Sequence, residues 1–151
     1  MEKKKIYIAS DHTGNAMRRA LFNHLRELGH HLIDLSRDEV NAKGTVSYSD
    51  QGIKLGQAVS ADRGSLGIAI CGTGVGISIA ANKVKGIRCG LTYELETAQL
   101  IRQHNNANVI ALGARLIAIE KAILLVDAFL AEKFEGGRHI PRIQTIDEYD
   151  A

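Results

Sequence analysis

Apolar residues along this chain follow two periods in alternation. Short runs of β-branched and aliphatic side chains stand at residues 6–9 (IYIA), 31–35 (HLIDL), 66–70 (LGIAI), 87–91 (IRCGL) and 109–112 (VIAL). Between them lie longer segments whose apolar side chains recur every three or four positions, the spacing of one helical face. Met17, Ala20, Leu21, Leu25 and Leu28 form such a face, and Gly29 stops it. Residues 50–61 present Ile53, Leu55, Ala58 and Val59; residues 75–82 and 94–103 predict two shorter helices; residues 116–130 predict a long one through Ile117, Ala118, Leu124, Leu125, Ala128 and Phe129. The run at 66–70 does not alternate, which predicts a strand buried on both faces. The polar stretch 36–47 reads as a loop with the character of a lid, and EKFEGG at 132–137 reads as a linker to a terminal segment beginning near His139.

Strand and helix alternating five times predict an α/β chain with a parallel sheet covered by helices on both faces. The expectation is a single domain over residues 1–151, a three-layer Rossmann-like fold with a five-stranded parallel sheet and a C-terminal helical tail. That length buries a core without help from metals or disulfides. In such sheets ligands bind beyond the carboxyl ends of the strands. The polar residues at those ends are therefore the candidates for chemistry.

Composition removes several classes of function. A net charge of +2 comes largely from Lys3, Lys4 and Lys5 at the start, and aromatics are only 5% of the chain, so no basic, aromatic-laced surface for nucleic acid is predicted. No apolar run approaches the roughly 18 residues of a membrane span, and IYIAS is too short for a signal-peptide core. Cys71 and Cys89 share no CxxC spacing, which leaves free thiols and a cytoplasmic protein as the expectation. No HExxH or similar pair of ligands occurs, so no metal site is predicted.

After the first strand come Asp11, His12, Thr13 and Gly14; after the third comes CGTGVG, Cys71 to Gly76; QHNNAN, with His104 and Asn105, precedes the fifth strand, and GAR, ending at Arg115, follows it. The glycine loop is GxGxG, with Ile77 where a dinucleotide fingerprint needs its third glycine. No Gly-Lys-Ser/Thr follows, which excludes a Walker loop, and Ile77 and Ser78 stand where a cysteine phosphatase needs its arginine. An anion-binding turn remains, with free amides from Gly72, Thr73, Gly74, Val75 and Gly76 at a helix N-terminus and a thiol beside them. A helix N-terminus favours the thiolate form of such a cysteine. Each of these features also has a plainer reading: Asp11 as a helix cap, Cys71 as core packing, His104 as a helix-end residue, and Arg138 with Arg142 as a solvated basic tail.

Taken together, SDHTG, ICGTGVGISIAANK, GIR, RQHNNANV, ALGAR and EGGRH…R resemble the type B ribose-5-phosphate isomerases, the family that also includes galactose-6-phosphate isomerase subunits. The matches run in order from Ile6 to Arg142, and the CGTGVGISIAANK block is the most specific. The resemblance implies an aldose–ketose isomerase converting ribose 5-phosphate to ribulose 5-phosphate, without cofactor or metal, in the non-oxidative pentose phosphate pathway. Cys71 would move the proton between C2 and C1. The amides of Gly72 to Gly76, with Asn105, would stabilise a cis-enediolate. His104 would open the furanose ring, a task suited to a side chain that titrates near neutrality. Asp11 would order the sugar hydroxyls or His104, and His12, Arg115, Arg138 and Arg142 would contact the sugar and its phosphate. The resemblance further implies a homodimer, or a tetramer made of two such dimers, with the site shared between subunits.

Two positions depart from the family pattern. Relatives carry Tyr-Pro after the second-strand loop, whereas Tyr48 is followed by Ser49 here, which predicts a more mobile lid. The only proline, Pro141, lies between Arg138 and Arg142, so the last helix is expected to start close to Arg138. An isomerase of a hexose 6-phosphate and a non-catalytic sugar-phosphate binding module are the rival readings. Retention of His104 with Asn105 favours the pentose enzyme, and a thiol and a histidine at separate strand ends are superfluous for binding alone.

Overall fold

The computed structural model describes residues 2–149; Met1, Asp150 and Ala151, which belong to the expected 1–151 domain, lie outside the described residues. Each of the five apolar runs forms a strand: β1 (Lys5–Ser10), β2 (His31–Asp34), β3 (Leu66–Cys71), β4 (Cys89–Leu91) and β5 (Val109–Gly113). Every pairing is parallel, in the order β2-β1-β3-β5-β4. The central strand β3 is buried along its whole length, as its unbroken apolar run predicts.

Helices α1 (Asn15–Glu27), α5 (Leu95–Gln103) and α6 (Ile119–Ala131) cover one face of the sheet, and α3 (Tyr48–Ala61) with α4 (Val75–Asn82) cover the other. Alternate side chains of β3 divide between the two layers. Ile68 and Ile70 join Leu21, Leu25, Val126 and Phe129 on the first face; Ala69 and Cys71 join Leu55, Val59 and Ile77 on the second. Cys71 thereby lies on the α3/α4 side at the carboxyl end of its strand. Strand β1 has β2 on one side and β3 on the other, so the chain reverses its direction of winding between them. The loops leaving β1 and β3 part at that point and open a crevice, the usual place for a ligand in a sheet of this type.

Several boundaries differ from those the pattern predicts. Residues 36–47 are not a loop: they contain α2 (Arg37–Lys43). Its only deeply buried side chain is Val40, too little to print an apolar period. It is held by charge and hydrogen bonds instead, with Asp38 and Glu39 in its first turn and Lys43 in its last. The Ser36 hydroxyl donates to Gln51 Oε1, and Glu39 accepts from Gln51 and Lys54 of α3. Strand β4 begins two residues late because the Asn108 side chain accepts from the Arg88 N–H, in place of a regular ladder bond. Helix α6 begins at Ile119, after an extended Ala118. The tail is α7 (His139–Glu148), with Arg138 as its N-cap residue; Pro141 is in the first turn, where a missing N–H costs nothing.

Ser49, the departure from Tyr-Pro, has a structural role that proline could not fill. Its N–H donates to the Ser47 hydroxyl (3.1 Å) and caps α3. No helix of the described residues is long and apolar enough to cross a membrane.

Candidate active site

The crevice at the carboxyl ends of β1, β3 and β5 is a cleft of about 490 Å³. Asp11, His12, Thr13, Cys71, Gly72, Thr73, Val75, Gly76 and Arg115 line it, and Tyr48 and Ile79 complete its wall. The GAR loop is latched to the glycine loop by Ala114 N–H to Cys71 O and Arg115 N–H to Gly72 O, both 2.9 Å. This is what brings Arg115 to the cleft. No carboxylate among the described residues forms an ion pair with Arg115, so its charge is available to an anion.

The Cys71 thiol is 3% exposed, and its Sγ accepts a hydrogen bond from the Gly74 N–H at 3.2 Å. Gly74 makes the turn possible. Its φ of +79° is left-handed, and a Cβ there would lie 2.9 Å from the Leu112 carbonyl carbon. The sulfur thus lies at the N-terminus of α4 with an amide donor aimed at it. Cys89, by contrast, has its thiol pushed up to about 12 by burial.

Asp11 is buried and caps the turn His12–Gly14, where its Oδ1 accepts from the Thr13 N–H (3.0 Å) and hydroxyl (2.6 Å). The plain reading of Asp11 as a cap is thus real, and it coexists with a place in the cleft wall. The His12 Nδ1 lies 3.3 Å from the Val46 carbonyl oxygen and 3.4 Å from the Val46 nitrogen, so this ring is tied to the α2–α3 connection.

The remaining candidates gather elsewhere in the chain. His104 is the C-cap of α5, and its ring stacks on His139 with centroids 4.4 Å apart. Its Nε2 lies 3.9 Å from a Glu135 carboxylate oxygen. Arg138 caps α7 next to His139 and Arg142 follows three residues later, and burial together with Arg138, His104 and Arg142 pushes the His139 pKa down. The His139 Nε2 is buried without a hydrogen-bond partner among the described residues. Asn105 lines a separate pocket with Cys89 and Ile146. The structure therefore unites Asp11, His12, the glycine loop and Arg115, and it unites His104, Arg138 and Arg142 through His139. The second group does not line the Cys71 cleft.

Three contributors escape a sequence reading. Tyr48 closes the cleft: a Cβ on Gly76 would lie 2.3 Å from its ring. Arg88, from the GIR stretch, clamps the loop carrying Asn105. Its Nε donates to the Asn105 and Asn106 carbonyls, and its Nη1 meets Asp147 of α7 at 2.8 Å. Tyr93 donates its hydroxyl to the Thr73 carbonyl. The GIR match contains Arg88 without giving it a task, and a lone Tyr carries no motif, so only the three-dimensional contacts reveal these roles.

Comparison with known proteins fits this geometry. The model of the ribose/galactose isomerase family matches residues 6–146. The chain is 45% identical to the probable ribose-5-phosphate isomerase B of Mycoplasma pneumoniae over 96% of its length and 94% of the relative's. It is 43% identical to the ribose-5-phosphate isomerase B of Escherichia coli K12 over 95% and 94%. The crystal structure of the Mycoplasma genitalium ribose-5-phosphate isomerase B with bound ribulose 5-phosphate superposes with a TM-score of 0.91 at 41% identity, covering 99% of this chain and 97% of that one. A thiol at the head of a glycine turn, a cleft at the switch point and full-length kinship all lead to one conclusion: the chain belongs to the ribose/galactose isomerase family.

Proposed function

We infer that this protein interconverts D-ribose 5-phosphate and D-ribulose 5-phosphate. Relatives of nearly equal length bear that activity in their names, and one holds ribulose 5-phosphate. The observation that carries the mechanism is the Cys71 thiol bonded to an amide of the turn that lines the cleft. The Cys71 thiolate takes the proton from C2 of the open-chain aldose and returns it at C1. The hydroxyl proton shifts between O2 and O1, and the two carbons exchange oxidation levels internally, so the reaction needs no external oxidant or reductant. The enediolate formed between the two transfers carries negative charge on oxygen. Amides of the Gly72–Gly76 turn and the Asn105 side chain supply donors to it, and one such donor is worth about 3–4 kcal/mol in a transition state.

His104 protonates the ring oxygen and opens the furanose, with Asp11 ordering the hydroxyls. His12, Arg115, Arg138 and Arg142 contact the sugar and its phosphate, with the arginines suited to a dianion. The two groups of residues are brought together between subunits of a homodimer. Support comes from the cleft itself: Tyr48, Val75 and Ile79 on its wall are 46%, 44% and 60% exposed, an apolar rim suited to a second copy. Both thiols are free, in keeping with a cytoplasmic enzyme whose single domain spans residues 1–151.

The test is turnover of ribose 5-phosphate by the wild-type protein and Cys71→Ala, with allose 6-phosphate in parallel. We expect wild type to prefer the pentose and Cys71→Ala to lose at least about a hundredfold in kcat, the scale of removing a general base. Substrate binding without turnover of either sugar would leave a binding module. Full activity in Cys71→Ala would require another base.

A further inference from the structure

The peptide that joins Thr73 to Gly74 is held at both ends. Its N–H, on Gly74, donates to Cys71 Sγ at 3.2 Å, and its carbonyl oxygen, on Thr73, accepts from the Tyr93 hydroxyl. A peptide unit is planar and its C=O and N–H point in opposite directions, so anchoring one end aims the other. Such an anchor matters here because Gly74 stands at φ +79°. With no side chain on Gly74 to resist rotation, the Thr73–Gly74 plane can turn over at low cost, and a turn would carry the N–H away from the sulfur.

Tyr93 lies between β4 and α5 and does not line the cleft. Its hydroxyl sits in the notch between the glycine loop and the end of β5, 3.1 Å from where a Gly113 Cβ would be. We propose that Tyr93 is a positioning residue for Cys71: its hydroxyl fixes the Thr73 carbonyl and thereby keeps the Gly74 N–H directed at the thiol. This rests on the reading of Cys71 as the base, but its geometry does not. Burial, with the nearby Cys71 charge adding to it, holds the Tyr93 phenol above its usual range, so the hydroxyl keeps its proton and remains a donor through neutral pH.

The experiment compares wild type with Tyr93→Phe, which removes only the hydroxyl, and Tyr93→Gln, which keeps a donor on a shorter side chain. Two quantities are read at neutral pH: the rate of Cys71 alkylation by iodoacetamide, located by mass spectrometry, and kcat and KM for ribose 5-phosphate. Losing a hydrogen bond to an ionised sulfur predicts that Tyr93→Phe slows alkylation and lowers kcat, each by about tenfold, with KM within about twofold of wild type. Tyr93→Gln is expected to recover part of both losses.

Unchanged alkylation in Tyr93→Phe overturns the anchor, and so does an equal loss in Phe and Gln variants. Slower alkylation with unchanged kcat leaves the anchor standing and removes Cys71 as the base, which separates failure of this proposal from failure of the mechanism. Should Tyr93→Phe not fold, Tyr93→Gln is set against Tyr93→Leu. Both lack the ring and only one has a donor, so equal alkylation rates would overturn the proposal.

Discussion

The proposed function assigns Cys71 and His104 to different chemical events, and this difference can be measured. Ribose 5-phosphate binds mainly as a furanose, whereas ribulose 5-phosphate cannot close that ring. If His104 opens the ring, His104→Asn lowers the initial rate from ribose 5-phosphate by about a hundredfold, the usual scale of losing a general acid, while the rate from ribulose 5-phosphate falls far less. Equal losses in both directions would remove the ring-opening role. At this scale much of the candidate site is legible in the sequence. CGTGVG announces a thiol beside free amides, because glycines in that number serve close backbone approach and little else. Arg88 and Tyr93 are not legible. Their work consists of contacts far along the chain, Arg88 with the Asn105 carbonyl 17 residues away and with Asp147 of α7, Tyr93 with the Thr73 carbonyl 20 residues away, and no local pattern encodes such bonds.

At the scale of elements, α2 is the instructive case. It is a helix of charge and hydrogen bonds laid against α3, and Glu39 is its main tie. The Gln51 amide and the Lys54 ammonium hold the Glu39 carboxyl at about 2, well below its ordinary 4.5. A carboxyl depressed in the folded state stabilises fully above its unfolded value and loses that contribution as pH falls through the folded one. The window is therefore about pH 4.5 down to 2. After solvent screening of this partly exposed group the contribution is about 1 kcal/mol. Glu39→Gln is expected to melt a few degrees below wild type near neutrality, and the gap should close as pH falls through that window in thermal denaturation. A constant gap would mean that Glu39 acts through packing alone. The helices with a full apolar face, α1, α3, α5 and α6, are readable in advance because burial repeats along them at the helical period. Helix α2 buries Val40 alone and is not.

At the scale of the molecule, a site shared between subunits, with the Cys71 cleft on one and the His104–Arg138–Arg142 group on the other, predicts complementation. The Cys71→Ala variant lacks the proposed base, and an Arg138→Ala, Arg142→Ala double variant lacks the proposed phosphate grip. Mixed and allowed to exchange subunits, two inactive homodimers of this kind are expected to recover up to about a quarter of wild-type activity, because half of the subunits enter heterodimers with one intact site each. No recovery, with sedimentation confirming exchange, would place both halves within one subunit. A monomer at micromolar concentration in the same sedimentation experiment would exclude the shared site altogether.

The alternation of strand and helix, the burial of β3, the free thiols and the chemistry available at CGTGVG all follow from the order of residues, because each depends on near neighbours and on periodic burial. The strand order β2-β1-β3-β5-β4 does not, since pairing partners are chosen by which apolar faces meet across the whole chain. That choice puts the end of β1 beside the end of β3 and so turns Asp11, His12 and Cys71 into one cleft. It also carries His104 to a stack with His139, 35 residues later, away from the thiol. Local sequence decides what each residue can do, and long-range packing decides which of them can do it together.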